Sequence, residues 1–447
     1  MNPVVVAVVV MLGLALCRVH VVLALFVGAV VGGMLSGIGL EATMVAFQSG
    51  LGDGAKIALS YALLGAFAMA VAHSGLPQLL ADSLIRRLHG KDARGRAAFW
   101  VRWGIIGGAT MMAVLSQNLI PVHIAFIPLL IPPLLAVMAQ LRLDRRAVAC
   151  ALTFGLVTTY MFLPLGFGKI FLQDILLGNI AKAGMDTLGI NVMAAMGIPA
   201  LGMVAGLLIA LFVSYRRPRG YAVAEDDNET TRVEVSRLKV GIAVVAIVVS
   251  FAVQTWLSLS GSEADSLLVG ALVGLFIFVA TGAVKVVEAD EVFTAGMRMM
   301  ALIGFIMITA QGFASVMKAT GRIESLVAGS AALVGDNRPL ASLAMLLVGL
   351  LVTMGIGSSF STLPIIATIY VPLSAALGFS PLATVALIGT AGALGDAGSP
   401  ASDSTLGPTA GLSADGQHDH IRDTVIPTFL HFNLPLLAAG WIASMVL

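Results

Sequence analysis

The chain is dominated by long apolar runs that carry no charged side chain and recur from one end to the other. Residues 3–17 and 21–35 are two such runs, separated by a short turn that contains Arg18. Only 11% of the residues are charged, whereas a soluble domain carries about 25%. This composition excludes a soluble enzyme. Because roughly 17–25 apolar residues span a bilayer as a helix, we expect an all-α polytopic membrane protein with about 10–12 transmembrane helices.

Clusters of basic residues indicate the orientation of the chain. They lie at residues 86–102, 142–146 and 216–219, and basic loops face the cytoplasm. An acidic stretch at 225–229 then predicts a cytoplasmic linker, residues 216–239, between an N-terminal transmembrane repeat, 1–215, and a C-terminal one, 240–447. The balance of 25 basic and 24 acidic residues gives no reason to expect nucleic acid as a partner.

Short matches between the two halves predict an internal repeat. The matched pairs lie 242, 246 and 243 residues apart, and they are Gly28–Gly32 with Gly270–Gly274, Phe67-Ala68 with Phe313-Ala314, and Ser116 with Ser359. Such a nearly constant separation favours two repeats of inverted topology, which many secondary transporters use for alternating access.

Each half contains an apolar hairpin with a polar tip. The first tip is Ser116, Gln117 and Asn118, and the second lies at 357–362 and includes Ser359, Ser361 and Thr362. For the first we favour a re-entrant hairpin over two full passes, because its polar backbone must be buried in protein or line a cavity. His123 follows the first tip, where it would carry a proton or bind the substrate; the alternative is a structural histidine.

A helix interrupted by proline and glycine follows each hairpin, at residues 163–168 and 395–400. The second interruption carries two carboxylates, Asp396 and Asp403, among the hydroxyls of Ser399, Ser402 and Thr405. A carboxylate inside the bilayer costs several kcal/mol unless it is paired, hydrated or bound to a cation. The segment therefore predicts a site that binds H⁺ and Na⁺ in turn; the alternative is a polar loop outside the membrane.

Other polar residues have weaker assignments. Lys169 and Asp174 follow the first interruption and would either pair within the site or lie at the membrane surface. His418, Asp419 and His420 are more typical of a solvated loop than of a metal site. We expect no metal beyond transported Na⁺, no cofactor, and no enzyme activity, because no nucleophile–base pair stands out.

The string Gly395-Asp396-x-x-Ser399-Pro400-x-Ser402-Asp403-Ser404-Thr405 resembles the G-D-x-x-S-P-x-S-D-T-T signature of bacterial NhaC-type sodium/proton antiporters. Residues 357–364 resemble the Ser/Thr-rich hairpin of that family, and residues 2–75 are similar to its shorter branch. The resemblance implies two inverted repeats, each with a re-entrant hairpin and a broken helix, in a homodimer in the bacterial inner membrane. It implies ion-binding roles for Asp396, Ser399, Ser402, Asp403 and Thr405, and for Ser359, Ser361 and Thr362.

Two functions follow as expectations. The first is Na⁺/H⁺ antiport, with lipid, Na⁺ and H⁺ as the partners. The alternative keeps the fold and makes Na⁺ or H⁺ the driving ion for uptake of an amino acid, for example histidine, held by the two polar tips. The shorter branch that the chain resembles implies this second possibility. A channel would need a continuous polar pore, whereas the chain offers isolated polar patches.

Overall fold

In the computed structural model every regular element of the described residues is a helix, which confirms the all-α class. The structure describes residues 2–76, 79, 96–118, 126–165, 167–222, 236–260, 264–332 and 337–447. Eight helices in these ranges are long and apolar enough to cross a membrane, or nine if one bent pair counts as a span. Five further apolar helices are shorter. The chain is therefore a multi-pass membrane protein.

The structure describes eight helices in the first half of the chain and nine in the second. In the first half the helices are α1 (Pro3–Leu16), α2 (Val21–Ser36), α3 (Gly39–His73), α4 (Arg96–Asn118), α5 (Phe126–Gln140), α6 (Arg145–Phe162), α7 (Phe167–Lys182) and α8 (Val192–Ser214). In the second half they are α9 (Arg237–Leu259), α10 (Ser266–Ala280), α11 (Val286–Ala319), α12 (Ile323–Ala332), α13 (Arg338–Ile356), α14 (Ser359–Ala376), α15 (Pro381–Ala393), α16 (Asp403–Leu412) and α17 (His420–Val446).

Both expected helix interruptions are present. In the first half α6 and α7 meet at a bend of 52°. In the second half α15 ends at Ala393, and α16 begins only at Asp403. The span Pro381–Leu412, which contains this interruption, has 89% of its apolar window buried, against 22% for Ala98–Ser116 in α4. Other helices therefore shield the second interruption from lipid.

Reciprocal packing relates the two halves. Gly28 of α2 lies against Phe313 of α11, and Gly274 of α10 lies against Phe67 of α3. These residues belong to the glycine motifs and phenylalanine pairs that matched between the halves in sequence, and in each contact a glycine of one half packs against the phenylalanine of the other. A two-fold relation between two similar units produces this reciprocal pattern. The inverted orientation of the halves stays a prediction.

The long helix α3 begins earlier than the apolar runs indicate. Hydropathy places the start of this span near residue 55, whereas α3 begins at Gly39. Its first half contains Glu41, Asp53 and Lys56, which are all exposed. Charged residues end an apolar run in the sequence, but they do not end a helix where their side chains face water or lipid headgroups. The helix therefore extends beyond the apolar run.

Two glycines allow α3 and α11 to cross closely. A Cβ atom at Gly296 would lie 2.2 Å from the backbone nitrogen of Ala66, and one at Gly65 would lie 2.5 Å from the carbonyl oxygen of Gly296. Backbone atoms of two packed helices cannot move aside as a flexible side chain can. The crossing therefore requires glycine at both positions.

We expect Gly296→Ala to destabilise the folded protein by about 2 kcal/mol, because overpacking a close contact costs about 1–3 kcal/mol. The measurement is thermal unfolding of the purified protein in detergent. Gly52→Ala is the matched control, since a Cβ at that exposed position of α3 meets nothing within 4 Å. Equal melting temperatures for the two variants would contradict the close crossing.

Candidate functional site

The interruption between α15 and α16 begins with a turn at Gly395. Gly395 has φ +92°, a conformation that residues with a Cβ rarely adopt. Its N–H donates to the Oδ1 atom of Asn433 at 3.1 Å. Asn433 lies in a π-helical part of α17, and such segments occur often at functional sites. The turn leaves the next residue, Asp396, outside both helices.

Asp396 accepts three hydroxyl hydrogen bonds. Its Oδ2 atom accepts from Tyr160 at 2.7 Å and from Ser404 at 3.1 Å, and its Oδ1 atom accepts from Ser402 at 2.5 Å. No basic side chain of the described residues contacts this carboxylate. The group is therefore placed inside the protein with neutral donors only, which solvate a charge without cancelling it.

The other hydroxyls of the signature shape the loop itself. Ser402 caps α16, because its Oγ atom accepts from the backbone N–H of Ser404 at 3.1 Å. Thr405 donates to the carbonyl of Ser399 at 2.5 Å, and the Ser399 hydroxyl accepts from the N–H of Ala401. Ser399 and Thr405 are fully buried. Their placement fixes the backbone around Asp396.

Asp396 faces a cavity of about 240 Å³. Asp403, in the first turn of α16, also lines it, and both carboxylates are half-buried. No basic side chain lines it among the residues that the structure describes. The polar side chains on its wall are Tyr160, Gln311, Ser358, Ser359, Asp396, Asp403 and Ser404.

The tip of the second hairpin forms another wall of this cavity. α13 ends at Ile356, Gly357 adopts φ +74°, and α14 begins at Ser359. The Ser359 hydroxyl lies 3.2 Å from the Tyr160 hydroxyl. Thr362 is fully buried and donates to the carbonyl of Ser358 at 3.0 Å, so it stabilises the tip from behind. The side chain of Ser361 lies outside the described residues.

Tyr160 of α6 joins the site from the first half, and sequence analysis missed it. Its ring packs against Phe171 and Phe167, with centroids 4.8 and 5.9 Å away, and against Phe360 at 6.3 Å. The sequence feature that could have identified Tyr160 is its position in an apolar helix shortly before Pro164. Gln311 of α11 was also missed, because a single amide within an apolar run has no local partner to indicate a site.

Three further predicted residues whose side chains the structure describes do not line this cavity. Ser116 is buried and donates to the carbonyl of Ala113 at 2.9 Å. Lys169 and Asp174 are exposed on α7 and are not among the cavity residues. The side chains of Gln117 and Asn118, and all of His123, lie outside the described residues.

The basic loops meet at one end of the bundle. Arg145 forms a bidentate pair with Asp415, at 2.6 Å for each contact, and Arg219 pairs with Asp423 at 2.6 Å. The N–H of Arg219 donates to the carbonyl of Arg142. Arg18 lines a cavity together with Arg219. The two basic loops at 142–146 and 216–219, which charge assigns to the cytoplasm, therefore lie on one side, and residues 86–95 of the third lie outside the described residues.

The expectation of a solvated loop at 418–420 is wrong for the two histidines. His418 and His420 are buried, and burial lowers the pKa of His418 to about 3. The His420 ring bonds the carbonyl of Pro400 at 2.9 Å and the Thr409 hydroxyl at 2.8 Å. Within the described ranges no group of three or more His, Cys, Asp or Glu residues could hold a metal ion.

Comparison with known proteins gives extensive matches. The profile of the Na⁺/H⁺ antiporter family matches residues 151–441, and a second Na⁺-H⁺ antiporter family profile matches residues 2–88. The chain is 55% identical to an uncharacterized membrane protein of Vibrio parahaemolyticus, over the whole of both. It is 50% identical, also over the whole of both, to a Bacillus subtilis protein named "Putative amino acid transporter YuiF".

Two solved structures are more distantly similar. MtrF of Neisseria gonorrhoeae is 14% identical with a TM-score of 0.40, and the match covers 91% of this chain and 85% of that one. YdaH of Alcanivorax borkumensis is 16% identical with a TM-score of 0.39, and the match covers 91% of this chain and 88% of the other.

Proposed function

Because the chain belongs to the Na⁺/H⁺ antiporter family, we propose that it exchanges Na⁺ for H⁺ across the bacterial cytoplasmic membrane. In this proposal Asp396 carries the two ions in turn, with Asp403 beside it. The chain is a membrane transporter and not an enzyme. It would need no cofactor, and its partners would be lipid, the two transported ions and a second copy of itself.

The observation that carries this proposal is a carboxylate inside a membrane span that has no basic partner among the residues the structure describes. Asp396 lies at a helix interruption in Pro381–Leu412 and faces the cavity. An ionised carboxylate in such a place is costly. Either H⁺ or Na⁺ relieves that cost, and the two relieve it in competition. A group that binds one ion only after losing the other couples the two fluxes.

The chemistry of the cavity wall suits Na⁺. The ion is a hard cation that prefers oxygen ligands. Around the two carboxylates, the Ser358, Ser359 and Ser404 hydroxyls and the Gln311 amide supply such oxygens. The arrangement resembles other transporter sites, in which a broken helix brings side chains and free backbone groups to the middle of the membrane.

The test is ion exchange in liposomes that contain the purified protein and a pH-sensitive dye. We expect the lumen to become alkaline when Na⁺ is added outside, because Na⁺ enters and H⁺ leaves. K⁺ or choline should give no such change, and neither should empty liposomes. A lumen pH that does not respond to Na⁺ would overturn the proposal.

A second candidate is Na⁺- or H⁺-coupled amino-acid transport, and the size of the cavity favours it. About 240 Å³ exceeds the volume of one water, roughly 30 Å³, about eightfold, so a small organic solute fits. Phe167 and Phe360 add an apolar wall beside the carboxylates. The printed name of the Bacillus subtilis relative supports the same candidate.

The same vesicles separate the two candidates. Labelled amino acids, histidine first, are offered with an imposed Na⁺ or pH gradient. Amino-acid transport would replace antiport if two results were found together. The gradient would drive uptake of an amino acid, and Na⁺ would cause no pH change in the lumen when that amino acid is left out.

A further inference from the structure

The wall of the cavity beside Asp396 combines hydrogen-bond acceptors with hydrocarbon. Every polar side chain on it has an oxygen atom that can accept a hydrogen bond, and two of them, Asp396 and Asp403, are carboxylates. Apolar side chains form another part of the wall: Ile57, Phe167, Met307, Ala310 and Phe360. A ligand that matches both parts carries a positive charge and N–H donors, and it also has an apolar portion.

The Asp396 carboxylate has room for one more donor. An ionised carboxylate offers about four lone-pair positions. Hydroxyl groups of the described residues take two of these on the Oδ2 atom and one on the Oδ1 atom. The fourth position, on Oδ1, is therefore open to a ligand, which can be a metal cation or an N–H group.

A primary ammonium group suits these acceptors. It carries three N–H donors and no acceptor, like the head of a lysine side chain. Asp396 can accept one of the three, and Asp403 and the Ser358 and Ser359 hydroxyls offer further acceptors around the same cavity. The group also carries the same charge as Na⁺, so it relieves the cost of a buried carboxylate in the same way.

The aromatic part of the wall is of no use to an inorganic ion. The rings of Phe167 and Phe360 have centroids 4.8 Å apart, and the Phe360 ring lies 6.3 Å from that of Tyr160. Na⁺ binds oxygen ligands and leaves this apolar surface to water. A short alkyl chain would cover it within the available volume of about 240 Å³, and burial of each CH₂ group strengthens binding.

We infer that the cavity also takes a small primary alkylammonium ion in place of Na⁺, with its head at the two carboxylates and its chain against Phe167 and Phe360. The inference rests on the proposed exchange of Na⁺ at this site and extends it to an organic cation. An organic anion would meet two like charges, and no basic side chain is among the described residues that line the cavity. The ligand class is therefore amines.

The test is competition with radioactive Na⁺ in liposomes that contain the protein. Both sides hold the same Na⁺ concentration and the same strongly buffered pH, so that uptake reports Na⁺–Na⁺ exchange and an amine that crosses the lipid collapses no gradient. Methyl-, ethyl- and propylammonium are added in turn, and the concentration that halves uptake is measured. We expect it to fall by about fourfold for each added CH₂ group. Raising the Na⁺ concentration should raise all three values, because the cations compete for one site.

Two ligands of the same chain length control for the head group. Propan-1-ol lacks the positive charge, and propionate carries a negative one. Neither is expected to reduce Na⁺ uptake at the concentration at which propylammonium halves it. Empty liposomes measure the leak.

Phe360→Ala tests where the alkyl chain lies. In the wild type the methylammonium and propylammonium values should differ by about fifteenfold, and in this variant by about fourfold, because part of the apolar wall is missing. The comparison is a ratio within one variant, so a change in the rate of exchange does not alter it. Phe305→Ala is the matched control, since Phe305 is 61% exposed on α11 and does not line the cavity. Its ratio should equal the wild-type ratio.

The series of ligands in the wild type decides the inference without any variant. No inhibition by propylammonium, equal inhibition by propan-1-ol, or equal inhibition by the three amines would each overturn it. An unchanged ratio in a folded Phe360→Ala protein would also do so, because the chain would then lie elsewhere. In all these cases Na⁺ is still exchanged and the proposed function stands. A wild type that exchanges no Na⁺ instead overturns the proposed function, and this inference with it.

Discussion

Asp396→Asn is expected to abolish Na⁺/H⁺ exchange while leaving the protein folded. An amide has nearly the same shape as the carboxylate, but it neither takes up a proton nor carries the charge that attracts Na⁺. Its oxygen can still accept from Tyr160 or Ser402, so the loop loses little. Charged hydrogen-bonding interactions contribute about 1.5–3 kcal/mol, and we expect Na⁺-driven H⁺ flux to fall by about a hundredfold or to background. The measurement is the dye assay in liposomes.

Asp174→Asn is the matched control for this variant. It makes the same chemical change at an exposed carboxylate on α7 that does not line the cavity. We expect the wild-type rate from it. Exchange near the wild-type rate in Asp396→Asn would show that Asp396 does not carry the ions. Loss of exchange in Asp174→Asn would show that the first helix interruption also takes part in transport.

Local sequence features predict the second interruption well. The eleven residues Gly395–Thr405 contain glycine, proline, two carboxylates and several hydroxyls. These residue types interrupt an apolar helix whatever other helices pack around it. The hydrogen bonds that shape this loop join residues close in sequence: Ser402 caps the next helix, and Thr405 donates to the backbone carbonyl of Ser399. The position of Asp396 therefore follows from the sequence around it.

Contacts between distant segments could not be predicted in this way. Tyr160 lies 236 residues before Asp396, and only the packing of α6 against the second half brings their side chains together. The same limitation applies to Arg145, which charge assigns to a cytoplasmic loop. A charge at the edge of a membrane gives the same pattern whether it is hydrated or buried, and Arg145 is fully buried.

Asp415→Asn is expected to destabilise the protein by about 2 kcal/mol. Breaking a fully buried ion pair costs about 3–5 kcal/mol, and the cost is smaller here because Asp415 itself is exposed to water while Arg145 is buried. The guanidinium of Arg145 is completely buried and forms its two shortest hydrogen bonds with Asp415. Without them its remaining contacts, within the described part of the chain, are the Leu412 carbonyl at 3.3 Å and the face of Tyr221 at 4.2 Å. An uncompensated buried charge is the cause of the loss. Thermal unfolding in detergent measures it, with Asp290→Asn, an exposed carboxylate of α11, as the control.

The pH dependence of this loss identifies its cause. Burial alone would raise the pKa of Asp415, but the hydrogen bonds and charge of Arg145 outweigh it and hold the pKa below its usual value. A carboxyl group with a lowered pKa stabilises the fold at neutral pH, and this contribution disappears as the pH falls through that pKa. The difference in stability between wild type and Asp415→Asn should therefore shrink in acid.

Adding Arg145→Met to Asp415→Asn should recover much of the loss at neutral pH, because no buried charge remains. A difference that stays constant into the acid range, with no recovery in the double variant, would show that the pair is not what stabilises this end of the bundle.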